Sequence, residues 1–162
     1  MKNNKKGKLE DYDLDQWDIE LDVGLKGSYL VVRTFFKDLL SHDHIGVIIN
    51  ISSDLGLIAP DHRIYKKTGI SEDEQSFKPI TYSVIKSGLI GMSKYFSTYF
   101  NGLIRSNALC PGGVENGQDK EFVKKVSNLI PFGRLANVDE YRGTIIYMLS
   151  DASSYMNGAV LS

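Results

Sequence analysis

The sequence predicts an α/β domain organised around a parallel sheet. Helix-like and strand-like segments alternate along the chain, the order that crossover connections produce. The strand-like runs are apolar without period-2 alternation, as expected of strands covered on both faces. The 162 residues, 42% hydrophobic and 24% charged, suffice for one buried core and are too apolar for disorder.

The elements follow in order. Residues 13–42, "DLDQWDIELDVGLKGSYLVVRTFFKDLLSH", read as one long helix. Asp13 with Gln16 three places on is a capping-box-like start, and Leu14, Trp17, Leu21, Leu25 and Tyr29 recur at helical spacing. Gly24 in its middle costs about 1 kcal/mol relative to alanine. "GVIINIS", 46–52, is a β-branched strand. Residues 54–79, with Pro60, Pro79 and the acidic "SEDEQ", read as loop with a short helical turn. A second long helix covers 80–101. "IRSNALC", 104–110, is the next strand and ends in "PGG". Helices are expected over 119–129 and 137–150, punctuated by Pro131 and Gly133, and "GAVLS" closes as a short strand. The first strand is too apolar for a sheet edge, yet no segment is left to pair with its far side.

Composition narrows the function. A net charge of −1 gathers neither nucleic acid nor a membrane surface. No run reaches the roughly 20 apolar residues of a membrane helix, and the basic start lacks the apolar core of a secretory signal. The lone Cys110 excludes an internal disulfide framework and fits a reducing compartment, so a cytoplasmic location is expected. Residues 1–12, with Lys2, Lys5, Lys6 and Lys8, read as a solvated basic tail without the interleaved aromatics of a nucleic-acid surface. "HDH" at His42 and His44 reads as helix-end cations rather than metal ligands. "SVIK" lacks the companion motifs of a serine-lysine hydrolase. The aromatics of "YFSTYF" read as core and subunit interface.

The chemistry gathers at "ITYSVIKSGLIGMSKY", 80–95. Tyr82 and Lys86 are four apart on a helix, hence on one face. An ammonium held there favours the phenolate and suits the tyrosine for proton transfer. Upstream a strand ends in "NISSDLG", and downstream a strand ends in "NALCPGG". Ligands of open α/β sheets bind at strand carboxyl ends, so all three motifs fall on one rim.

Serine, tyrosine, lysine and the Pro-Gly turn, in this order, resemble the catalytic part of the short-chain dehydrogenase/reductase family, from about Leu14 to Ser162. The resemblance implies a partial Rossmann-like, doubly wound parallel sheet. Residues 1–162 would form a single incomplete NAD(P)-binding domain: the C-terminal half, of about three strands with crossover helices, with the N-terminal strands missing. By position, Ser53 matches the catalytic serine, Ser52 being the weaker match. Tyr82 matches the general acid/base. Lys86 matches the lysine that assists it and, with Tyr82, holds the cofactor. Pro111, Gly112 and Val114 match the turn whose backbone contacts the nicotinamide. The implied reaction is hydride transfer between NAD or NADP and a carbonyl or hydroxyl of a small molecule. The implied partner is a second copy or another chain, docking through helices 14–41 and 80–101.

Three departures qualify this. Gly24 replaces the asparagine that the family uses in a proton relay, so an impaired relay is expected. The 28 residues between Ser53 and Tyr82 exceed the family's usual spacing, which makes 57–79 an insertion at the mouth of the site. With "APDHRIY" it resembles a bacterial branch acting on surface sugars of flagella and lipopolysaccharide. Its Arg63 and Lys67 read either as ligands for a phosphate or carboxylate or as solvated loop charges. No glycine-rich phosphate loop is present, so the chain alone is expected to be inactive. A non-catalytic interaction subunit and a non-functional truncated product are the alternatives.

Overall fold

The computed structural model describes residues 7–42 and 45–162. Lys2, Lys5, Lys6 and His44 lie outside the described residues. Helices α1 (Leu14–Leu21) and α2 (Gly27–His42) flank a π-helical turn, Asp22–Lys26. Strand β1 (Gly46–Ile51), helix α3 (Ile80–Tyr99), strand β2 (Ile104–Leu109), helices α4 (Lys120–Ser127) and α5 (Arg142–Leu149) and strand β3 (Val160–Leu161) follow. The strands form a parallel sheet in the order β1-β2-β3, with Gly46 opposite Ile104 and Ala108 opposite Val160.

Side chains of β2 alternate between two layers. Ile104 joins Val32, Leu39, Ile48, Phe96 and Phe100 beneath α2 and α3, and Ala108 meets Ile90 of α3. On the other face Arg105 donates to the Met148 and Ser150 carbonyls at the end of α5. The fully buried Asn107 donates to Met156 O and accepts from Ala159 N, each at 2.9 Å, and so positions β3.

Four expectations about the helices change. The helix over 13–42 is not uniform, because it widens into the π turn at Gly24. A Cβ there would stand 2.7 Å from Ile85 Cγ2, and one on Gly88 would stand 2.7 Å from Leu25 Cδ2. The two helices thus close on each other through paired glycines. Asp13 caps α1, but Gln16 reaches forward to Glu20 rather than back to the cap. Leu14 and Tyr29 are exposed, while burial resumes at Val32 and Leu39. α1 and the π turn contact α3, whereas α2 packs on both β1 and the C-terminal end of α3. Residues 138–141 form a 3-10 turn ahead of a shorter α5.

Strand β1, expected to be covered on both faces, is half-buried, with Ile51 at its end exposed and Ile45 just before it also exposed. It lies at the sheet edge. A groove of about 570 Å³ runs between that edge and the Val23, Val31 and Phe35 face of the first helices.

Candidate active site

The carboxyl ends of β1 and β2 and the first turns of α3 meet at one rim. Ser52 and Ser53 leave β1 together but have different partners. Ser52 Oγ donates to Lys86 O at 2.7 Å, tying the strand to α3. Gly56 permits the close approach, since a Cβ there would fall 2.9 Å from the Lys86 carbonyl. Ser53 opens the 3-10 turn Asp54–Gly56, and its Oγ donates to Asp54 Oδ1 at 2.7 Å. Leu55 N donates to both the Ser53 hydroxyl (3.2 Å) and Asp54 Oδ1 (2.7 Å). Asp54 N in turn donates to Pro111 O, joining the serine turn to the turn after β2.

Tyr82 stands in the first turn of α3, where Pro79 supplies the N-cap and accepts from Tyr82 N. Its neighbour Thr81, fully buried, donates to Glu20 and shares a 2.8 Å hydrogen bond with the Tyr12 hydroxyl. Burial pushes the Glu20 carboxyl up, but hydrogen bonds from Thr81, Gln16 and Tyr12 outweigh it and hold the group below its ordinary value. This network fixes the start of α3 and hence the tyrosine.

Lys86, one turn on, donates from Nζ to Ile51 O at 3.0 Å, and its ammonium lies 5.6 Å from the Tyr82 ring centroid. Burial pushes its pKa down, opposed by the nearby Cys110 thiol. A second ammonium, from Lys78, stands nearer, 3.5 Å over the same ring. Burial also lowers the Lys78 pKa, with Asp54 raising it and Lys86 lowering it further. Tyr65 completes the wall, its phenol pushed up to about 12 by burial and by Tyr82 and Asp54.

The turn after β2 is braced from below. Gly112 N donates to the Tyr141 hydroxyl at 3.1 Å, and Gln118 Nε2 donates to Val114 O at 2.7 Å. Val114 pairs with Ala136 in a parallel bridge, with Ala136 N donating to Gly113 O at 2.9 Å. A cavity of about 360 Å³ is bounded by Ser53, Tyr82, Lys78, Tyr65, Pro111 and Gly112, within the size range of small-ligand sites.

The structure therefore brings Ser53, Tyr82, Pro111, Gly112 and Val114 to one cavity, with Lys86 behind the tyrosine. Arg63 and Lys67 stand apart, ion-paired to Asp61 (2.7 Å) and Asp119 (3.5 Å). Sequence reasoning missed Lys78, Tyr65, Asp54 and Tyr141. Lys78 carried a signal, being one helical turn before Tyr82 and next to the capping proline. Tyr65 and Tyr141 carried none, because their approach depends on the folding of segments far from Tyr82 in the chain.

Segment 57–79 is well knit. The buried Gln75 accepts from Lys67 N and donates to the Lys67 and Ile70 carbonyls. Tyr65 meets the Phe122 ring at 5.4 Å, Thr68 donates to Glu121, and Lys125 donates to Lys66 O. These contacts hold the segment against α4.

Known proteins share both sequence and fold. The family profile described as Enoyl-(Acyl carrier protein) reductase matches residues 1–162. The flagellin modification protein A of Campylobacter coli is 29% identical over 158 residues, covering 96% of this chain and 59% of that protein. A 3-oxoacyl-(acyl-carrier-protein) reductase of Thermotoga maritima is 30% identical over 152 residues, covering 91% and 55%. The crystal structure of a short chain dehydrogenase from Leptospira borgpetersenii with bound NAD+ superposes with a TM-score of 0.84 at 27% identity, over 94% of this chain and 56% of that one. The chain thus spans somewhat more than half the length of these relatives. With the profile matched along its whole length and the parallel α/β fold shared, the chain belongs to the short-chain dehydrogenase/reductase family.

Proposed function

We propose that this chain carries the catalytic half of an NAD(P)-dependent oxidoreductase, which moves a hydride to or from a carbonyl or hydroxyl carbon of a small polar molecule. The observation that carries the reading is the convergence of the Ser53 turn, the Tyr82 phenol and the Pro111–Val114 turn on one cavity, with two ammoniums at the phenol ring. A sugar or nucleotide sugar is the proposed substrate, supported by the likeness to the flagellin modification protein. The buried free thiol of Cys110 suits a proposed cytoplasmic setting.

The residues fit one end of the cofactor. The backbone of Pro111–Val114 and the ends of Tyr82 and Lys86 would hold a nicotinamide and its ribose, and Gly112 leaves open room, with no atom closer than 3.8 Å to a Cβ built there. The pyrophosphate end has no glycine-rich cradle in these residues. A bound dinucleotide would supply the hydride donor or acceptor. Ser53 then turns its hydroxyl from Asp54 to the substrate oxygen and orients it. Tyr82 gives that oxygen a proton in reduction or takes one in oxidation. The Lys86 and Lys78 ammoniums stabilise the phenolate that forms. Gly24 O accepts the Ser28 hydroxyl at 2.8 Å, so the carbonyl at the expected relay position already has a partner within the helix.

The test is deuterium transfer from 4-deuterated NADH or NADPH to aldose and ketose carbonyls. Transfer by this chain is expected to be slow and to need high dinucleotide concentration. It should fall about a hundredfold or more in Tyr82→Phe. The open edge of β1 favours a second reading, a docking subunit that pairs with a full-length relative. Transfer indifferent to Tyr82, together with co-sedimentation of the chain and such a relative, would replace the first reading with the second.

A further inference from the structure

We propose that Lys78 is the substrate anchor of this site: its ammonium binds the carboxylate of a hydroxy acid or oxo acid whose nearby carbon carries the reacting oxygen. The inference rests on the hydride-transfer reading for the identity of the site, and on four further observations.

First, segment 57–79 holds four cationic side chains, and three are neutralised. Arg63 pairs with Asp61 at 2.7 Å, Lys66 with Glu72 at 2.7 Å and Lys67 with Asp119 at 3.5 Å. Among the described residues Lys78 alone of the four makes no ion pair or hydrogen bond, although Asp54 is near enough to raise its pKa. Its ammonium meets only aromatic faces, Tyr82 at 3.5 Å and Tyr65 at 6.0 Å. Second, Lys78 is partly buried, so water satisfies its three N–H donors incompletely and the rings compensate only in part. An acceptor supplied by a ligand completes the set.

Third, the ammonium lines the cavity that Ser53, Tyr82 and Gly112 also line. An acid oxygen bound to it therefore lies beside the phenol, within a bond or two of a carbinol oxygen facing Tyr82 and Ser53. Fourth, the charges around the cavity match a monoanion. Among the described residues no arginine lines it, Asp54 stands in its wall, and Lys86 lies outside its lining. Asp54 is partly compensated by the Ser53 hydroxyl and Leu55 N–H. Either anion would meet the same one ammonium against one carboxylate, and a phosphate dianion leaves more charge uncompensated there than a monocarboxylate does. The other groups facing Lys78, the phenols of Tyr65 and Tyr82, offer donors to the hydroxyls of such a ligand.

The experiment is saturation-transfer NMR on the 162-residue chain with three probes: D-gluconate, its neutral counterpart D-glucitol, and inorganic phosphate. The wild-type chain is expected to prefer gluconate to glucitol by about tenfold or more, the scale of one charge-assisted hydrogen bond. Lys78→Met should erase the preference and Lys78→Arg should keep most of it. Lys78→Gln, neutral but polar, must also lose it, which guards against a folding defect in the methionine variant. The proposal is overturned if the wild-type chain shows no preference, if the preference survives in Lys78→Gln, or if phosphate displaces gluconate at equal concentration. Tyr82→Phe separates this claim from the one beneath it. Loss of deuterium transfer with the gluconate preference intact leaves the anchor standing. A wild-type chain that transfers deuterium in a Tyr82-dependent way but shows no gluconate preference removes the anchor and leaves the enzyme.

Discussion

Two adjacent serines with the same backbone neighbourhood have opposite employments here. Ser52 is spent on the Lys86 carbonyl, while Ser53 donates its hydroxyl to Asp54 at the cavity wall. Motif position could favour Ser53, but only the fold shows what occupies Ser52. Lys78 makes the converse case. Its spacing from Tyr82 was readable, yet its weight came from the pairing of every other cation in its segment, which a sequence does not disclose. Glu140 gives a prediction at this scale. Hydrogen bonds from Arg134 and Asn137 N hold its carboxyl down to about 2, against an ordinary 4.5. A depressed folded-state pKa contributes stability that is present above about pH 4.5 and lost as pH falls towards about 2. Glu140→Gln should therefore melt lower than the wild type near neutral pH, with the difference closing through that window. A melting difference that stays constant from pH 6 to pH 2 would mean the pair is indifferent to protonation. The site is exposed, so the effect is small.

Among the elements, the order of helices and strands was legible because each carried its period and its stop signals. The π turn was not. A glycine in a helix announces a cost but not its reason, and the reason lies in Ile85 on another element. Gly24 and Gly88 let two helices approach until each backbone meets a side chain of the other. A Cβ at position 24 demands that the stiff, branched Ile85 move. Gly24→Asn is thus expected to destabilise the chain by about 1–3 kcal/mol. Ile85→Ala should make the same change much cheaper, with a coupling of about 1 kcal/mol or more in a double-mutant cycle read by urea unfolding. Additive effects would show that Ile85 is not the obstacle. Capping was half legible: Asp13 was identified, but Gln16 chose Glu20 because the Thr81 and Tyr12 network draws Glu20 to that side.

For the molecule as a whole, the parallel sheet was legible in the apolar runs, and the candidate site in three motifs lying on one rim. Strand β1 shows where that reading exceeded the fold. Its composition suits a strand with neighbours on both sides, but β2 flanks one side only, and a groove lies along the other. The same division governs the proposed cofactor site. In that reading the residues at the carboxyl ends of the strands hold a nicotinamide and its ribose, and these residues contain no glycine-rich loop for the pyrophosphate. The central claim is therefore a claim about half a ligand, and saturation-transfer NMR of NADH on this chain tests it directly. The account predicts strong transfer to the nicotinamide and adjoining ribose protons, little to the adenine protons, and loss of the signal in Lys86→Met. Equal transfer to the adenine, or a nicotinamide signal unchanged by Lys86→Met, would contradict it.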